Sequence, residues 1–324
     1  MPETQLKLTP YGNADFAYIR EEGLAYVDKT QFIEVLERCG SNYPFIVRPR
    51  RFGKTLSTNM LEAYYDEAAA DQFDRVFAGT YIGSHKTPLA SQFRVLHLDF
   101  SGIASPNHQV LAAEFQETVL SGVRSYFQRY PHPEQNEVLK GTFPSASALI
   151  SRFFSLLTEE FPRKLYVIID EYDQFANEVL SQDLEHFKAM TSSEGFLKNF
   201  FTKLKAATNR LVSRIFITGV TSISLDSMTS GFSISTNITT FPAFADLYGF
   251  TEAELRELVP QVLDISKWGL NVDDLVARMR EWYNGYRFSP QNETTVFNPT
   301  MCLSYLLTWQ NLGEEPDTLL DPNL

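Results

Sequence analysis

The sequence predicts an α/β protein whose mostly parallel sheet is followed by a small helical unit. Strand-sized apolar runs alternate with amphipathic helical segments, and only helical patterns follow Tyr248. The run from Leu165 to Ile169 is apolar at every position, as expected for a strand covered by helices on both faces. These observations divide the chain into a core at 1–247, a helical unit at 248–312 and a tail at 313–324. We expect the acidic, proline-bearing tail to be an exposed end or a cut inside a longer protein.

The core is expected to alternate between strands and helices. Strands are predicted at Tyr43 to Val47, Phe93 to Phe100, Leu165 to Ile169 and Arg214 to Val220, with a further strand within Phe232 to Thr239. Helices are predicted at Lys54 to Asp66, His108 to Tyr130, Ser145 to Phe161 and Phe196 to Asn209. In the helical unit, Thr251 and Glu254 form a capping-box pattern, and Asn298-Pro299 is typical of a helix start.

Composition excludes several classes of protein. The 324 residues carry a net charge of −12, and 44% of them are hydrophobic, which is too apolar for a disordered chain. No apolar run approaches the roughly 20 residues that a membrane helix needs. The acidic balance argues against a protein that coats nucleic acid through bulk charge. Two cysteines cannot form a disulfide framework, and residues 1–9 show no signal peptide, so we expect a cytoplasmic protein.

The strongest chemical signal is a phosphate-binding pattern between a predicted strand and a predicted helix. Gly53-Lys54-Thr55 opens the helix, where backbone N–H groups and the helix dipole attract an anion. Gly53 allows close approach of a phosphate, Lys54 can reach the β- and γ-phosphates, and the Thr55 hydroxyl can ligate Mg²⁺.

The pattern is incomplete, because Arg48 occupies the position of the usual first glycine. The alternative interpretation is a helix start beside a basic surface turn. Against it, Arg48, Arg50, Arg51 and Lys54 place four cations in one short turn of an acidic chain, and a bound anion would relieve their repulsion. We therefore predict that residues 48–55 (Arg48, Pro49, Arg50, Arg51, Phe52, Gly53, Lys54 and Thr55) cradle phosphates.

A second signal is the pair of carboxylates after the apolar strand, Asp170 and Glu171. The first acid of such a pair suits Mg²⁺, and the second can orient and deprotonate an attacking water. Asp173 is a further candidate for the metal shell. The alternative is a strand that ends in solvated acids. Because a strand is predicted in sequence between the two signals, we expect the sheet of the additional-strand ATPases, in which a strand separates the phosphate-loop strand from the acidic strand.

The strand at Arg214 to Val220 is followed by polar residues that could sense the γ-phosphate. Thr218, Thr221 and Ser222 are the candidates, and Thr221 is favoured. A Ser/Thr turn that satisfies its own backbone is an equally good interpretation for each of them.

At this point the sequence resembles the predicted AAA-ATPase-like proteins of bacteria and archaea over most of its length. The resembling segments are Tyr26-Val27-Asp28-Lys29-Thr30, Arg48 to Thr55, Ile169-Asp170-Glu171-Tyr172-Asp173, Ile217 to Val220, Thr229-Ser230-Gly231-Phe232, Thr236-Asn237-Ile238 and Tyr283 to Phe288. The string Arg-Pro-Arg-Arg-Phe-Gly-Lys-Thr is specific to this group, so the missing first glycine looks like a family trait.

The resemblance implies a P-loop ATPase core with a helical lid. Longer members often carry a C-terminal nuclease-like domain of the PD-(D/E)XK type, and nothing in residues 1–324 supplies one. Residues 28–30 lie where the chain could pass adenine and ribose, although Asp28 reads equally well as a helix cap. Arg287 could stabilise developing charge on the γ-phosphate, with stacking on a neighbouring tyrosine as the alternative.

The sequence thus predicts Mg²⁺-dependent ATP binding and hydrolysis, with Lys54, Glu171 and Arg287 as catalytic residues. Residues 48–55 and Thr221 would bind the nucleotide, and Thr55 and Asp170 the metal. The alternatives are a nucleotide-gated switch with little hydrolysis, which could regulate a nuclease domain, and a phosphotransferase. A homo-oligomer is compatible with the pattern, nucleic acid would be reached only through another domain, and no membrane partner is expected. Neither the five histidines nor the cysteines show metal-ligand spacing.

Overall fold

The fold is built around a five-stranded, all-parallel sheet. The computed structural model describes residues 6–103, 108–192, 194–222 and 232–320. The strands are β1 (Pro44–Val47), β2 (Arg94–Asp99), β3 (Leu165–Asp170), β4 (Val212–Gly219) and β5 (Thr236–Asn237), in the spatial order β2-β3-β4-β1-β5. The expected α/β class with a parallel sheet is confirmed.

The sheet places the ends of three strands side by side. In the ladder between β1 and β4, Val47 lies opposite Gly219, and in the ladder between β3 and β4, Ile169 lies opposite Ile217. The strand that separates β1 from β3 is therefore β4, while β2, which precedes β3 in sequence, lies at the sheet edge. Because parallel strands share their direction, the residues that follow β1, β3 and β4 meet at the same end of the sheet, beyond the carboxyl ends of these strands.

Helices cover both faces of the sheet and form the C-terminal unit. The first group is α1 (Phe16–Glu21), α2 (Gln31–Arg38), α3 (Lys54–Tyr65), α4 (Phe73–Val76) and α5 (Tyr81–Ser84). The second group is α6 (His108–Arg129), α7 (Gln135–Leu139), α8 (Ala146–Leu157), α9 (Gln174–Gln182), α10 (Leu184–Thr191) and α11 (Phe196–Ala207). The C-terminal helices are α12 (Glu252–Val262), α13 (Ile265–Trp268), α14 (Val272–Tyr283) and α15 (Pro299–Leu312). None of the helices described has both the length and the apolar character needed to cross a bilayer.

The apolar core has two layers, one on each face of the sheet. Strand β3 shows the division, because Tyr166 and Ile168 belong to the layer that contains α3. Val167 and Ile169 belong to the opposite layer, which contains α6 and α8. Every residue of β3 is buried, as its continuous apolar sequence predicted. A third apolar cluster lies within the C-terminal helices.

The helix caps and the last strand test the local predictions. The capping box of Thr251 and Glu254 is confirmed, with both reciprocal hydrogen bonds present. Asn298 caps α15 by accepting from the Met301 backbone, with Pro299 at the first helical position. The strand predicted within Phe232 to Thr239 is only two residues long, because Ser235 turns back onto the Phe232 carbonyl and β5 pairs with β1 alone.

Candidate functional site

The phosphate loop, residues 48–55, connects β1 to α3 at the end of the sheet where β1, β3 and β4 terminate. The backbone N–H of Arg48 still donates to the Gly219 carbonyl at 2.9 Å, so the turn begins directly beyond the sheet. Gly53 precedes the twelve-residue helix α3 with φ +87°, a left-handed conformation that glycine adopts without strain. Gly53 supplies no side-chain cap, so the helix N-terminus can attract an anion.

Lys54 is buried beneath this loop. Its Nζ donates to the carbonyls of Arg48 at 3.3 Å and Pro49 at 3.1 Å. The same atom lies 3.4 Å from Oε1 of Glu171. The lysine thus joins the phosphate loop to the acidic end of β3, through contacts that are long for a charged donor.

The two acids at the end of β3, Asp170 and Glu171, are held by the neighbouring strand. Thr218 of β4 donates its hydroxyl to Oδ1 of Asp170, and the Glu171 backbone N–H donates to that hydroxyl oxygen at 3.2 Å. The second carboxylate oxygen of Asp170, Oδ2, is buried and has no hydrogen-bond partner among the residues that the structure describes. A buried carboxylate oxygen in this state is costly unless a ligand satisfies it.

Glu171 is positioned and tuned by its surroundings. Its backbone has φ +51°, a conformation that non-glycine residues rarely adopt outside constrained sites. Burial raises the pKa of its carboxyl group, the charge of Lys54 offsets this only in part, and the nearby Asp170 carboxylate raises it further. A carboxylate with a raised pKa is a stronger general base near neutral pH.

A cavity of about 580 Å³ opens beside the phosphate loop, a size typical of small-molecule sites. Its charged and polar wall includes Lys54, Thr55 and Glu171. Its apolar wall comes from the N-terminal segment and the C-terminal unit, and includes Pro10, Tyr11, Ile19, Tyr26, Val27, Leu247, Phe250, Leu258, Pro299 and Leu303. Arg51, Phe52 and Gly53 also contribute to the lining, while Arg50 is exposed on the loop.

The segment expected near adenine and ribose contributes one residue to the cavity, Lys29. Its Nζ pairs with Glu254 of α12 at 2.6 Å and donates to the Asp246 carbonyl at 2.8 Å. Asp28 does not cap α2, since the cap position is Thr30. The Asp28 carboxylate accepts instead from the Thr30 and Tyr81 backbones.

The structure corrects the predicted role of the Arg48 side chain. Only 1% of Arg48 is exposed, and its guanidinium points into the protein, where it donates to backbone carbonyls. It therefore does not join the cations that face the cavity. The sequence suggests four equivalent cations in the loop, but the Arg48 guanidinium donates to three backbone carbonyls and packs against aromatic rings, so its role is structural.

Thr221 and Asp173 are also corrected. The Thr221 hydroxyl donates to Asp173 Oδ2 at 2.9 Å and also contacts the Asn177 side chain. It therefore does not face Asp170 and Glu171. Asp173 accepts in addition from the backbones of Val220 and Thr221, which leaves its carboxylate fully engaged and unsuited to a metal shell. The residue of β4 that contacts Asp170 and Glu171 is Thr218.

Arg287 is not brought to the cavity either. Its guanidinium donates to the carbonyls of Ser289, Pro290 and Asn292, and so closes its own turn. These carbonyls hold the guanidinium in place, and not the stacking on a neighbouring tyrosine that was the alternative prediction. Three carbonyl acceptors within five residues satisfy the guanidinium locally, which the sequence pattern does not reveal.

Some residues of the site carry no recognisable sequence signal. Thr300 of α15 lines the cavity and donates to the Arg51 carbonyl at 2.8 Å, although some 250 residues separate the two in sequence. Tyr248 also lines it and shares a 2.7 Å hydrogen bond with Ser57 of α3. For contact with the two acids, the sequence could have favoured Thr218 over Thr221. Thr218 lies inside the predicted strand, whereas Thr221 lies in the turn after it, where polar groups form hydrogen bonds with one another. Of the resembling segments, residues 229–231 lie outside the part of the chain that the structure describes.

Comparison with known proteins agrees with this geometry. The family described as Predicted AAA-ATPase matches residues 10–229, which include the phosphate loop and the acidic strand end. A curated relative, "Uncharacterized protein in vnfD 5'region" from Azotobacter chroococcum mcd 1, is 26% identical over 297 residues. That match covers 90% of this chain and 50% of the relative, so the chain spans about half the relative's length. The chain belongs to the predicted AAA-ATPase-like family, and this membership implies nucleotide binding.

Proposed function

We propose that the protein binds ATP with Mg²⁺ and hydrolyses it. The observation that carries the proposal is the meeting of Lys54 and Glu171 at one cavity beside the N-terminus of α3. A lysine at a helix start binds phosphate, and a carboxylate on the far side can activate water. Family membership supports the nucleotide, and the geometry supports the chemistry.

The phosphates would lie along the loop. The backbone N–H groups that precede α3, together with Lys54, would bind the β- and γ-phosphates, with Arg50 and Arg51 close enough in sequence to add positive charge. Lys54 would exchange its long contacts with the Arg48 and Pro49 carbonyls for phosphate oxygens. The apolar wall of the cavity would receive the base and ribose.

The residues present fit a magnesium ion. Asp170 offers a buried carboxylate oxygen to which no described residue donates a hydrogen bond, and Thr55 lies at the start of α3 beside the cavity. Among the residues described, no cluster of three or more His, Cys, Asp or Glu side chains could hold a metal. That agrees with Mg²⁺, which usually relies on one or two protein ligands plus waters and substrate phosphates. When bound, the ion would neutralise charge that develops on the phosphates.

For hydrolysis, Glu171 would accept the proton of the attacking water. Its raised pKa and its position beside Lys54 suit this role. Thr218 would fix the direction of the Asp170 carboxylate and hold the backbone of Glu171 through its hydroxyl. Because Arg287 is engaged in its own turn, we propose that an arginine from a neighbouring subunit stabilises the leaving charge, which makes oligomerisation part of the proposal.

The deciding experiment compares ATP binding by the native protein and the Lys54→Ala variant, using calorimetry with Mg²⁺ present. We expect micromolar binding by the native protein and none by Lys54→Ala. Lys203→Ala, which removes an exposed lysine on α11, is the matched control and should bind normally. Equal affinity of the native protein and Lys54→Ala would refute the proposed site.

A second candidate is a nucleotide-gated switch that turns over slowly or not at all. It is favoured by the contacts between the phosphate loop and the C-terminal unit, such as the Thr300 hydrogen bond to Arg51. Steady-state phosphate release separates the two functions. Turnover well above that of Glu171→Gln supports an enzyme, and equal rates support a switch.

A further inference from the structure

The first position of the phosphate loop, Arg48, makes contacts that a glycine could not make. Its Nη1 donates to the carbonyls of Val47 at 2.8 Å and Thr239 at 2.9 Å, and its Nη2 donates to the Phe244 carbonyl at 2.9 Å. The guanidinium carbon lies 4.2 Å from the ring centre of Phe288. One side chain at the start of the loop therefore contacts the segment that leads into the C-terminal unit and the unit itself.

These contacts hold a cation away from water. Burial lowers the pKa of Arg48 to about 10, which reflects the cost of keeping the charge there. Within the described residues no ion pair accompanies it, so carbonyl dipoles and the faces of Phe288 and Tyr248 provide its stabilisation. That stabilisation exists only while these groups stay in place around the guanidinium.

Two further contacts join the loop to the same unit. Phe52 is buried and meets Tyr286 and Phe288 edge to face, at centroid separations of 4.7 and 5.4 Å. Thr300 donates to the carbonyl of Arg51, whose φ of +65° is unfavourable for a side chain-bearing residue. The contacts of residues 48, 51 and 52 thus converge on the turn after α14 and the start of α15.

We propose that Arg48 is a positioning residue that makes the shape of the phosphate loop depend on the docked position of the C-terminal unit. The inference rests on the proposed nucleotide site, and it names the regulation of that site. When the unit moves, the guanidinium loses its acceptors and the left-handed turn at Arg51 loses its hydrogen bond, so the loop relaxes and phosphate is released. Binding of phosphate, conversely, favours the docked unit.

Three substitutions at one position separate this role from direct phosphate contact. Arg48→Gly restores the usual first glycine of a phosphate loop, yet we expect it to weaken ATP binding at least tenfold. Arg48→Lys keeps a charge that would serve a phosphate ligand, but it cannot reach three carbonyls as the planar guanidinium does. Arg48→Met keeps the length and removes the charge. We expect all three to behave alike, and Arg210→Met, at an exposed arginine before β4, to match the native protein.

The second measurement is hydrogen exchange at residues 284–300 with and without ATP. In the native protein ATP should protect this segment, and in the Arg48 variants protection should be lost even at saturating ATP. Thr300→Val leaves the loop sequence intact and should reduce protection in the same direction, which keeps the test valid if the Arg48 variants fold poorly.

The outcomes distinguish a failure of the proposed function from a failure of the role inferred for Arg48. If the native protein does not bind ATP, the proposed function fails. If the native protein binds ATP but Arg48→Gly binds it equally well with unchanged protection, this inference fails and the proposed function stands. Recovery of affinity by Arg48→Lys alone would make Arg48 a phosphate ligand and would also overturn the inference.

Discussion

Helix α3 begins and ends in two clusters of partly buried charge that differ in how closely their glutamates are paired, although each cluster also holds a buried polar atom without a hydrogen-bond partner among the described residues. At its N-terminus Lys54 makes contacts of 3.1 Å or longer, and Asp170 Oδ2 has no hydrogen-bond partner within the described part of the chain. Near its C-terminus Glu62 accepts from His97 Nδ1 at 2.6 Å and from Arg129. Both clusters are shielded by the same sheet, so burial alone does not explain the difference.

The pKa values of the two glutamates show the consequence. Burial acts to raise the pKa of both carboxyl groups. At Glu62 the hydrogen bond from His97 and the charge of Arg129 outweigh burial and lower the pKa to about 2. At Glu171 the charge of Lys54 is insufficient and the pKa stays raised. Glu62, held by close charged partners, therefore stabilises the fold, and Glu171, whose contact to Lys54 is 3.4 Å long, is suited to a ligand.

The largest expected effect lies near the N-terminus of α3, at Glu171. Glu171→Gln should lower the rate of ATP hydrolysis by about 10²- to 10⁴-fold while ATP still binds, because the amide cannot accept the proton of water. The acid limb of the native pH–rate profile should lie above 4.5, the ordinary value for glutamate, because the pKa of Glu171 is raised. Turnover by Glu171→Gln at the native rate would remove this glutamate from the mechanism.

A substitution near the C-terminus of α3, at Glu62, should change the stability of the protein and not its affinity for ATP. Glu62→Gln removes the carboxylate that His97 contacts and leaves Arg129 paired with Asp66 alone, and we expect a loss of about 2 kcal/mol in the free energy of unfolding at pH 7. Because the folded pKa of Glu62 lies below its unfolded value, the loss should shrink as pH falls from about 4.5 towards 2. Urea titrations across that range measure it.

The matched control for that substitution is Glu117→Gln, an exposed glutamate on α6 whose loss should change little. ATP affinity should be the same in the native protein, Glu62→Gln and Glu117→Gln. A large loss of affinity in Glu62→Gln would show that the two ends of α3 are coupled, which would break the comparison.

The smallest effects compare two aspartates near the end of β3. Asp170→Asn removes a buried charge with one unmet oxygen, so we expect the protein without ligand to gain about 1 kcal/mol in stability. Asp173→Asn places an amide against the backbone donors of Val220 and Thr221, and should lose about 1–2 kcal/mol. Thermal melts report both signs. Stabilisation by Mg²⁺ with ATP should disappear in Asp170→Asn, and a loss of stability there without ligand would contradict our account of its orphaned oxygen.

Much of this arrangement could be predicted from local sequence. The buried strand β3, the helix start at Lys54 and the capping box at Thr251 follow from short-range patterns, and all three are observed. Strand β4 lies between β1 and β3, whereas the strand predicted between the two motifs in sequence, Phe93 to Phe100, is β2 and lies at the sheet edge.

The side-chain roles at the site could be predicted less well, because they depend on groups far away in sequence. Arg48 finds its acceptors about 190 residues later, and only the folded chain shows that they lie around it. Thr221 and Arg287 have the residue types that their proposed roles require. Their donors are already engaged by Asp173 and by a local turn, respectively. Residue type predicts which chemistry is available, whereas three-dimensional contacts decide whether a group is free to perform it.

The burial of Arg48 and Phe52 has a consequence for dividing the chain into fragments. Sequence places the boundary of the helical unit at residue 248, yet Arg48 and Phe52 both pack against Phe288. A fragment that ended at residue 247 would retain the whole phosphate motif while exposing a buried phenylalanine and a guanidinium stripped of its aromatic neighbours. Expressed alone, such a fragment should be prone to aggregation, so we expect that a fragment meant to carry residues 48–55 must extend through α15.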